Sequence, residues 1–133
     1  MKIERKPVNF EDARGTITDI FVRVPKEHCT IIHTKKGGVR GNHYHKLSRQ
    51  HDFIVSGSMK VYGQVVGQDT ITEAVVGPND LIVWEPGEAH EFVALDNTIF
   101  ITFVDGPRGG SDFEKDTFRL PTPLHEQVNT AKS

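Results

Sequence analysis

Two histidines one residue apart, His43 and His45, stand in the stretch Arg40-Gly41-Asn42-His43-Tyr44-His45-Lys46-Leu47-Ser48-Arg49-Gln50. The stretch up to His45 reads as strand, and residues two apart on a strand project from the same face. Both imidazoles therefore point one way and Tyr44 the other. Gln50 follows across a short polar break, and His90 lies further on in Pro86-Gly87-Glu88-Ala89-His90. A neutral imidazole near pH 7 is suited to general acid–base work. His45 is the candidate base, with His43 or Gln50 steadying the ring. Arg40, Lys35 and Lys46 are candidates to hold an anionic group, arginine being the better bidentate partner. A second chemistry competes for the same side chains. His43, His45 and His90, with Gln50 as a neutral oxygen donor, form a possible ligand set for a divalent transition metal (Zn, Fe, Mn or Ni). Such an ion would polarise a carbonyl or carry a water. A histidine bound to metal cannot also be a free base, so the two readings exclude each other residue by residue.

The elements that must position these groups are short strands. Thr16 to Val24 is rich in β-branched residues and ends at Pro25, so it reads as a strand. Residues 28–34 and Val39 to His45 read as two more, separated by the turn Lys35-Lys36-Gly37-Gly38. Asp52 to Val55 and Met59 to Val66 make the clearest hairpin, with Gly57 supplying the positive φ of a tight turn. Thr70 to Val76, Leu81 to Trp84, His90 to Leu95 and Thr98 to Val104 follow, separated by turn signals. Ser111 to Asp116 suits one helical turn, Thr117 to Leu120 a further strand, and the polar tail from Glu126 to Ser133 is expected to fray. About nine short strands with turns every 8–12 residues point to an all-β sandwich or barrel.

The chain has 133 residues, which suits one domain spanning 1–133, with a core at about 16–105 and a C-terminal extension at 106–133. Hydrophobic residues are 36% of it, enough for a core. Sixteen Lys and Arg against eighteen Asp and Glu give a formal charge of −2, which argues against general nucleic-acid binding. The first residues lack the apolar stretch of a signal peptide, and no apolar run approaches the roughly 20 residues of a membrane span. One cysteine, Cys29, cannot make an internal disulfide. These features lead us to expect a cytoplasmic protein with no membrane partner. A homodimer is also expected, paired through the strand at residues 16–24.

At this point the residues match a known pattern. His43-Tyr44-His45, four residues, Gln50, six residues and Gly57, with Gly37 upstream, resemble the first motif of the cupins. Gly87-Glu88-Ala89-His90 resembles part of the second, though Ala94 stands where that motif has Asn, and Pro86-Gly87 lacks its spacer. The resemblance spans roughly residues 28–105. It implies a single-domain antiparallel jelly-roll β-barrel with the three histidines facing its interior. The usual Glu of the first motif is an anionic ligand, whereas Gln50 offers only a neutral carbonyl oxygen. A narrower resemblance links Arg40, Gly41, His43, His45, Lys46 and Gln50, with the Ser56-Gly57-Ser58 hairpin, to the dTDP-4-keto-6-deoxyhexose 3,4-ketoisomerases. Those enzymes need no metal, and their paired histidines line the active site. Arg-Gly-x-His is shared with dTDP-4-keto-6-deoxyglucose 3,5-epimerases. Arg-Gly-Asn-His-Tyr-His is similar to the cupin domain of certain capsular polysaccharide reductases, which holds a metal.

These resemblances imply sugar-nucleotide chemistry in surface polysaccharide biosynthesis: an isomerase or epimerase with a small-molecule, nucleotide-linked substrate and no organic cofactor. The alternatives are a metal-binding cupin of other activity and a non-catalytic ligand-binding cupin. Bland roles stand beside the sharp ones. Arg40 serves a structural salt bridge as readily as a phosphate. Lys35 and Lys36 are most simply a solvated turn. Asp52 should face inward and need a partner, His51 should face outward, and His33 is a lesser candidate for the interior. Trp84 and Phe92 read as core, Tyr44 as an outer residue suited to a dimer contact, and Cys29 as a buried thiol.

Overall fold

The computed structural model describes residues 1–107 and 110–132. The first strands are β1 (Lys2–Arg5), β2 (Phe10–Asp12), β3 (Gly15–Ile17), β4 (His28–Thr34), β5 (Val39–Tyr44) and β6 (Arg49–Ser56). They are followed by β7 (Met59–Val65), β8 (Thr72–Val76), β9 (Asp80–Trp84), β10 (Glu88–Ala94) and β11 (Thr98–Asp105). A 3-10 helix (Gly110–Asp116), β12 (Phe118–Arg119) and α1 (Leu124–Lys132) complete the order. Antiparallel pairing builds one five-stranded sheet in the order β1-β9-β6-β11-β4 and a second in the order β12-β5-β10-β7-β8. β2 and β3 form a separate hairpin.

The two sheets face each other. Ile54, Ile82, Trp84 and Phe100 from the first sheet and Met59, Val61, Val76 and Phe92 from the second pack into one buried cluster. Alternation along β11, where every second residue is buried, shows one face of the strand turned to this core. Trp84 and Phe92 belong to the core, as their apolar surroundings in the sequence suggest. Gly57 adopts φ 87° in the β6–β7 turn.

Four expectations are corrected here. The predicted barrel is not closed: among the described residues the sheets remain two separate ladders, joined by packing rather than by hydrogen bonds between their edges. The predicted strand at 16–24 is strand only to Ile17. Beyond it the Asn9 side chain accepts a hydrogen bond from the Asp19 amide at 2.6 Å, and Arg23 takes φ 57°. Phe21 then folds back edge-on against Phe103 and His51, so tertiary packing overrides β propensity, and the pairing strand expected of a dimer does not exist beyond residue 17. The tail is helical rather than frayed. Leu124 and Val128, one turn apart, dock on Tyr62 and Ala89, with Tyr44 and Leu120 at the margin. A nine-residue helix is marginal in isolation, and this burial is what stabilises it. Lastly, Cys29 is exposed, because β4 is an edge strand and Cys29, Ile31 and His33 lie on its open face.

Candidate functional site

The site begins with an irregularity in β5. In the β5–β10 ladder His43 pairs with His90, but Glu91 pairs with Gly41, so Asn42 is an extra residue. Gly41 has φ 91° and Asn42 φ 58°, the positive values that a β-bulge of this kind demands. Gly41 has a further reason to lack a side chain: a Cβ there would lie 2.6 Å from the His90 carbonyl oxygen. Arg40 and His43 are three apart and would face opposite ways on a regular strand. The bulge puts them on one face, since Arg40 pairs with Phe92 and His43 with His90, and directly paired residues share a face. Asn42 points outward. Its side chain donates to Glu91 at 3.0 Å and accepts from the Leu124 amide at 2.9 Å, which ties α1 to the bulge. Glu91, fully buried, also accepts from the His125 amide at 2.7 Å and meets the His125 ring.

His43, His45 and His90 come together. Ring centroids are 5.0 Å apart for His43–His45, 4.7 Å for His43–His90 and 5.4 Å for His45–His90. One ligand nitrogen from each lies within 4.8 Å of the others. His90 is fully buried against Trp84, while His45 is buried and His43 half-buried. The His45 ring is fixed by Nδ1, which lies 2.7 Å from the Asp116 carbonyl oxygen. A carbonyl only accepts, so Nδ1 carries the proton and Nε2 presents its lone pair. The Asp116 carboxylate in turn accepts from the amides of Lys46, Leu47 and Ser48 at 2.9, 3.0 and 2.8 Å, and from the Ser48 hydroxyl at 3.0 Å. Burial pushes this carboxyl upward, but the amides of Ser48, Leu47 and Lys46 outweigh it and hold it below its ordinary value.

Gln50 and Asp52 face inward together from β6. Gln50 Nε2 donates to both Asp52 oxygens at 3.2 and 3.0 Å. Trp84 Nε1 donates to the same carboxylate at 2.9 Å and Thr102 at 2.6 Å. These bonds orient the Gln50 amide, and its Oε1 is buried with no hydrogen bond from the described residues. The partner that an inward Asp52 requires is thus a set of three donors. His51, on the other face, is covered by Phe21 and Lys26 rather than open to solvent. Burial pushes its pKa down to about 4, with the Lys26 and Arg49 charges acting in the same direction.

A cavity of about 350 Å³ opens beside the cluster, lined by Ile32, Val39, Phe92 and Phe100 on its apolar side. Arg40, His43, Gln50, Thr102 and Arg119 give it a polar side. Of the residues proposed from the sequence, Arg40, His43 and Gln50 meet this cavity, and His45 and His90 stand behind His43. Arg40 also donates from its guanidinium to the Thr34 hydroxyl at 2.7 Å and the His33 carbonyl at 3.0 Å, so its charged head is held from β4. Lys46 does not reach the cavity; its ammonium lies 4.3 Å from the Phe118 ring centroid. Tyr44 is outward, stacks on Phe118 and packs against the chain's own C-terminal segment. His33 is exposed. Asp116 and Arg119 were not found from sequence. Both lie in the segment after residue 105, where no motif marks them; the only local signal was the short apolar and β-branched run at Thr117 to Leu120. Of Gly106 to Gly110, Arg108 and Gly109 fall outside the described residues.

No family model matches the chain. A relative, the oxalate decarboxylase of Arthroderma benhamiae, is 28% identical over 101 residues, which cover 74% of this chain and 22% of the relative. The chain thus spans about a fifth of that protein's length. The dTDP-4-dehydrorhamnose 3,5-epimerase of Sulfolobus tokodaii superposes with a TM-score of 0.71 at 24% identity, over 84% of this chain and 72% of its own. QdtA, a sugar 3,4-ketoisomerase of Thermoanaerobacterium thermosaccharolyticum solved in complex with TDP, gives 0.73 at 17%, over 98% and 93%. The capsular polysaccharide assembling protein CapF of Staphylococcus aureus gives 0.63 at 25% identity, over 88% of this chain and 33% of its own. The chain therefore shares its fold with these solved structures, and its structural neighbours include sugar-nucleotide epimerases and ketoisomerases. Among the described residues, no helix is long and apolar enough to cross a membrane.

Proposed function

We propose that this protein is an isomerase or epimerase acting on a nucleotide-linked 4-keto sugar. The observation that carries the reading is His43 on the wall of the 350 Å³ cavity, with His45 and His90 behind it, in a fold shared with enzymes of that class. The cavity is of a size that takes a small ligand, and its mixed lining suits a deoxysugar ring with one apolar and one polar edge. In this reading His43, the histidine that meets the cavity, takes the proton from the carbon next to the ketone. The electron pair of that C–H bond becomes a double bond to the carbonyl carbon, and the carbonyl π pair moves onto oxygen, giving an enolate. Return of a proton to that carbon from the other side inverts it. Return to the former carbonyl carbon, with loss of the neighbouring hydroxyl proton, moves the ketone. Arg40, braced by Thr34 and His33, places positive charge on the same wall. Incubation with dTDP-4-keto-6-deoxyglucose in D2O, followed by proton NMR, tests this reading. Loss of the C3 or C5 proton signal is expected. Full retention of both signals, with enzyme at a tenth of the substrate concentration, overturns it.

A second reading rests on the three-histidine cluster itself. His43, His45 and His90 are donors of the type that zinc and other first-row ions take, the His45 tautomer leaves Nε2 as the ligand atom, and Gln50 Oε1 adds a neutral oxygen. The residues fit such an ion, although tetrahedral coordination brings ligand nitrogens to about 3.3 Å, closer than the 4.8 Å limit within which these nitrogens lie. When bound, a metal would supply a Lewis acid for a carbonyl or water. Elemental analysis of protein purified without added metal separates the readings. A stoichiometric transition metal favours this one, and less than about a tenth of an equivalent counts against it.

A further inference from the structure

Glu91 is fully buried on the strand that carries His90, and it takes no part in the proposed proton transfer. It leaves β10 on the face opposite His90, away from the cavity. A buried carboxylate is costly unless donors surround it. Here the donors come from two places. Asn42 Nδ2 donates to Oε1 at 3.0 Å, and the His125 amide donates to Oε2 at 2.7 Å, with the His125 ring against Oε1. The first amides of a helix have no partner within it. In α1 those of Leu124 and His125 are taken by Asn42 Oδ1 and Glu91 Oε2, so this cap is supplied from β5 and β10. Asn42 is thereby held at three points: Nδ2, Oδ1, and its backbone carbonyl, which accepts from the Leu120 amide at 2.8 Å. The bulge turns on this residue. Asn42 keeps φ 58°, a value uncommon outside glycine, and it is the extra residue that brings Arg40 onto the face of His43.

Resting on the keto-sugar reading for its effect on catalysis, we propose that Glu91 is a positioning residue for His43: it locks Asn42 into the bulge and α1 onto the bulge, and so aims the imidazole into the cavity from the far side of the sheet. Glu91 is not among the residues that line the cavity. Its effect passes through Asn42, the residue directly before His43. A displacement of about 1 Å at a reacting group is enough to cost roughly 100-fold in rate. α1 thereby belongs to the framework of the site, although none of its described residues lines the cavity.

Three variants of the full chain test the assignment. Glu91→Gln keeps the shape but turns one acceptor into a donor, which then faces either the His125 amide or the Asn42 side chain. Asn42→Gly accepts the positive φ without strain and removes both side-chain links. Val83→Ala, buried beside His51 on the face of the first sheet turned away from the cavity, is the control for lost stability alone. Each is assayed by proton exchange from dTDP-4-keto-6-deoxyglucose in D2O, by urea unfolding, and by the ring NMR signals of His43. Glu91→Gln and Asn42→Gly should each lower kcat about 10- to 100-fold with KM within about threefold of the wild type, and should shift the His43 signals. The double variant should lose no more than the worse single one, because both break one clasp. Val83→Ala should lower stability and leave kcat and the His43 signals as they are. A kcat within about twofold of the wild type in both clasp variants, a double-variant loss equal to the product of the two single losses, or an equal kcat loss in Val83→Ala overturns the inference. If the wild type exchanges no proton, the keto-sugar reading falls and the ring signals decide. Shifted in both clasp variants but not in Val83→Ala, they keep Glu91 as the residue that positions His43; unshifted, they remove it.

Discussion

The Asp116 carbonyl oxygen lies 2.7 Å from His45 Nδ1, and the carboxylate of the same residue gathers three backbone amides and a hydroxyl from residues 46–48. One residue therefore fixes both the tautomer of a site histidine and the loop that follows it. Removing that carboxylate leaves several buried donors unpaired. Asp116→Ala is expected to cost about 2–4 kcal/mol of stability, read by urea unfolding, whereas substitution of exposed Asp112 should be nearly silent.

His43 is the histidine that meets the cavity. His43→Asn keeps a polar side chain but removes the base, and should lower the rate of carbon-bound proton exchange by roughly 100-fold or more. Affinity for dTDP should change little. A rate within a factor of a few of the wild type would show that another group takes the proton.

The bulge gives a third expectation. Gly41→Ala places a Cβ 2.6 Å from the His90 carbonyl oxygen and at φ 91°, where side chains are strained. A loss of about 2–3 kcal/mol is expected in chemical unfolding, together with altered chemical shifts of the His43 and His90 rings. Gly67→Ala shares a positive φ but meets nothing within 4 Å, so it isolates the backbone part of the cost.

His51 should set part of the acid sensitivity. Its folded pKa of about 4 lies below the unfolded value of about 6.5, so the unfolded chain binds the extra proton between those limits. The stability that neutral His51 contributes is full above pH 6.5 and is lost as the pH falls toward 4. Unfolding free energies of wild type and His51→Leu, compared at pH 7.5 and 4.5, should differ in their pH dependence by about 2–3 kcal/mol, the wild type falling more steeply. Parallel curves would assign the acid sensitivity to other groups.

The shared face of His43 and His45 follows from strand periodicity alone, and their meeting with His90 follows from the cupin-like spacing. The inward pair Gln50 and Asp52 follows from the same alternation. What periodicity could not supply was the bulge. A Gly-Asn pair inside a strand carries two positive φ values, and without the partner strand nothing shows that Arg40 and His43 end on one face. The failure at residues 18–24 is of another kind. Their β-branched run favours strand locally, but Phe21 gains more from Phe103 and His51 than from a ladder. Asp116, Arg119 and α1 were illegible for a third reason: their roles depend on strands far back in the chain, Asp116 reaching Lys46 across 70 positions and Leu124 reaching Asn42 across 82, and Arg119 pairing with His43.

The contacts of Asp116 and Leu124 carry a consequence for the order in which the molecule is made. Asp116 closes on Lys46 across 70 positions, and Leu124 on Asn42 across 82. All three histidines and both five-stranded sheets except β12 leave the ribosome before these partners do. Until residues 116–128 emerge, the His45 ring lacks the Asp116 carbonyl, and Tyr44, Tyr62 and Ala89 lack the cover of Leu120, Leu124 and Val128. The growing chain thus passes through a stage in which the sheets can pair while the site is unset and an aromatic face lies open. Long-range closure of this kind is slow, so that stage is the one most in need of shielding from other nascent chains.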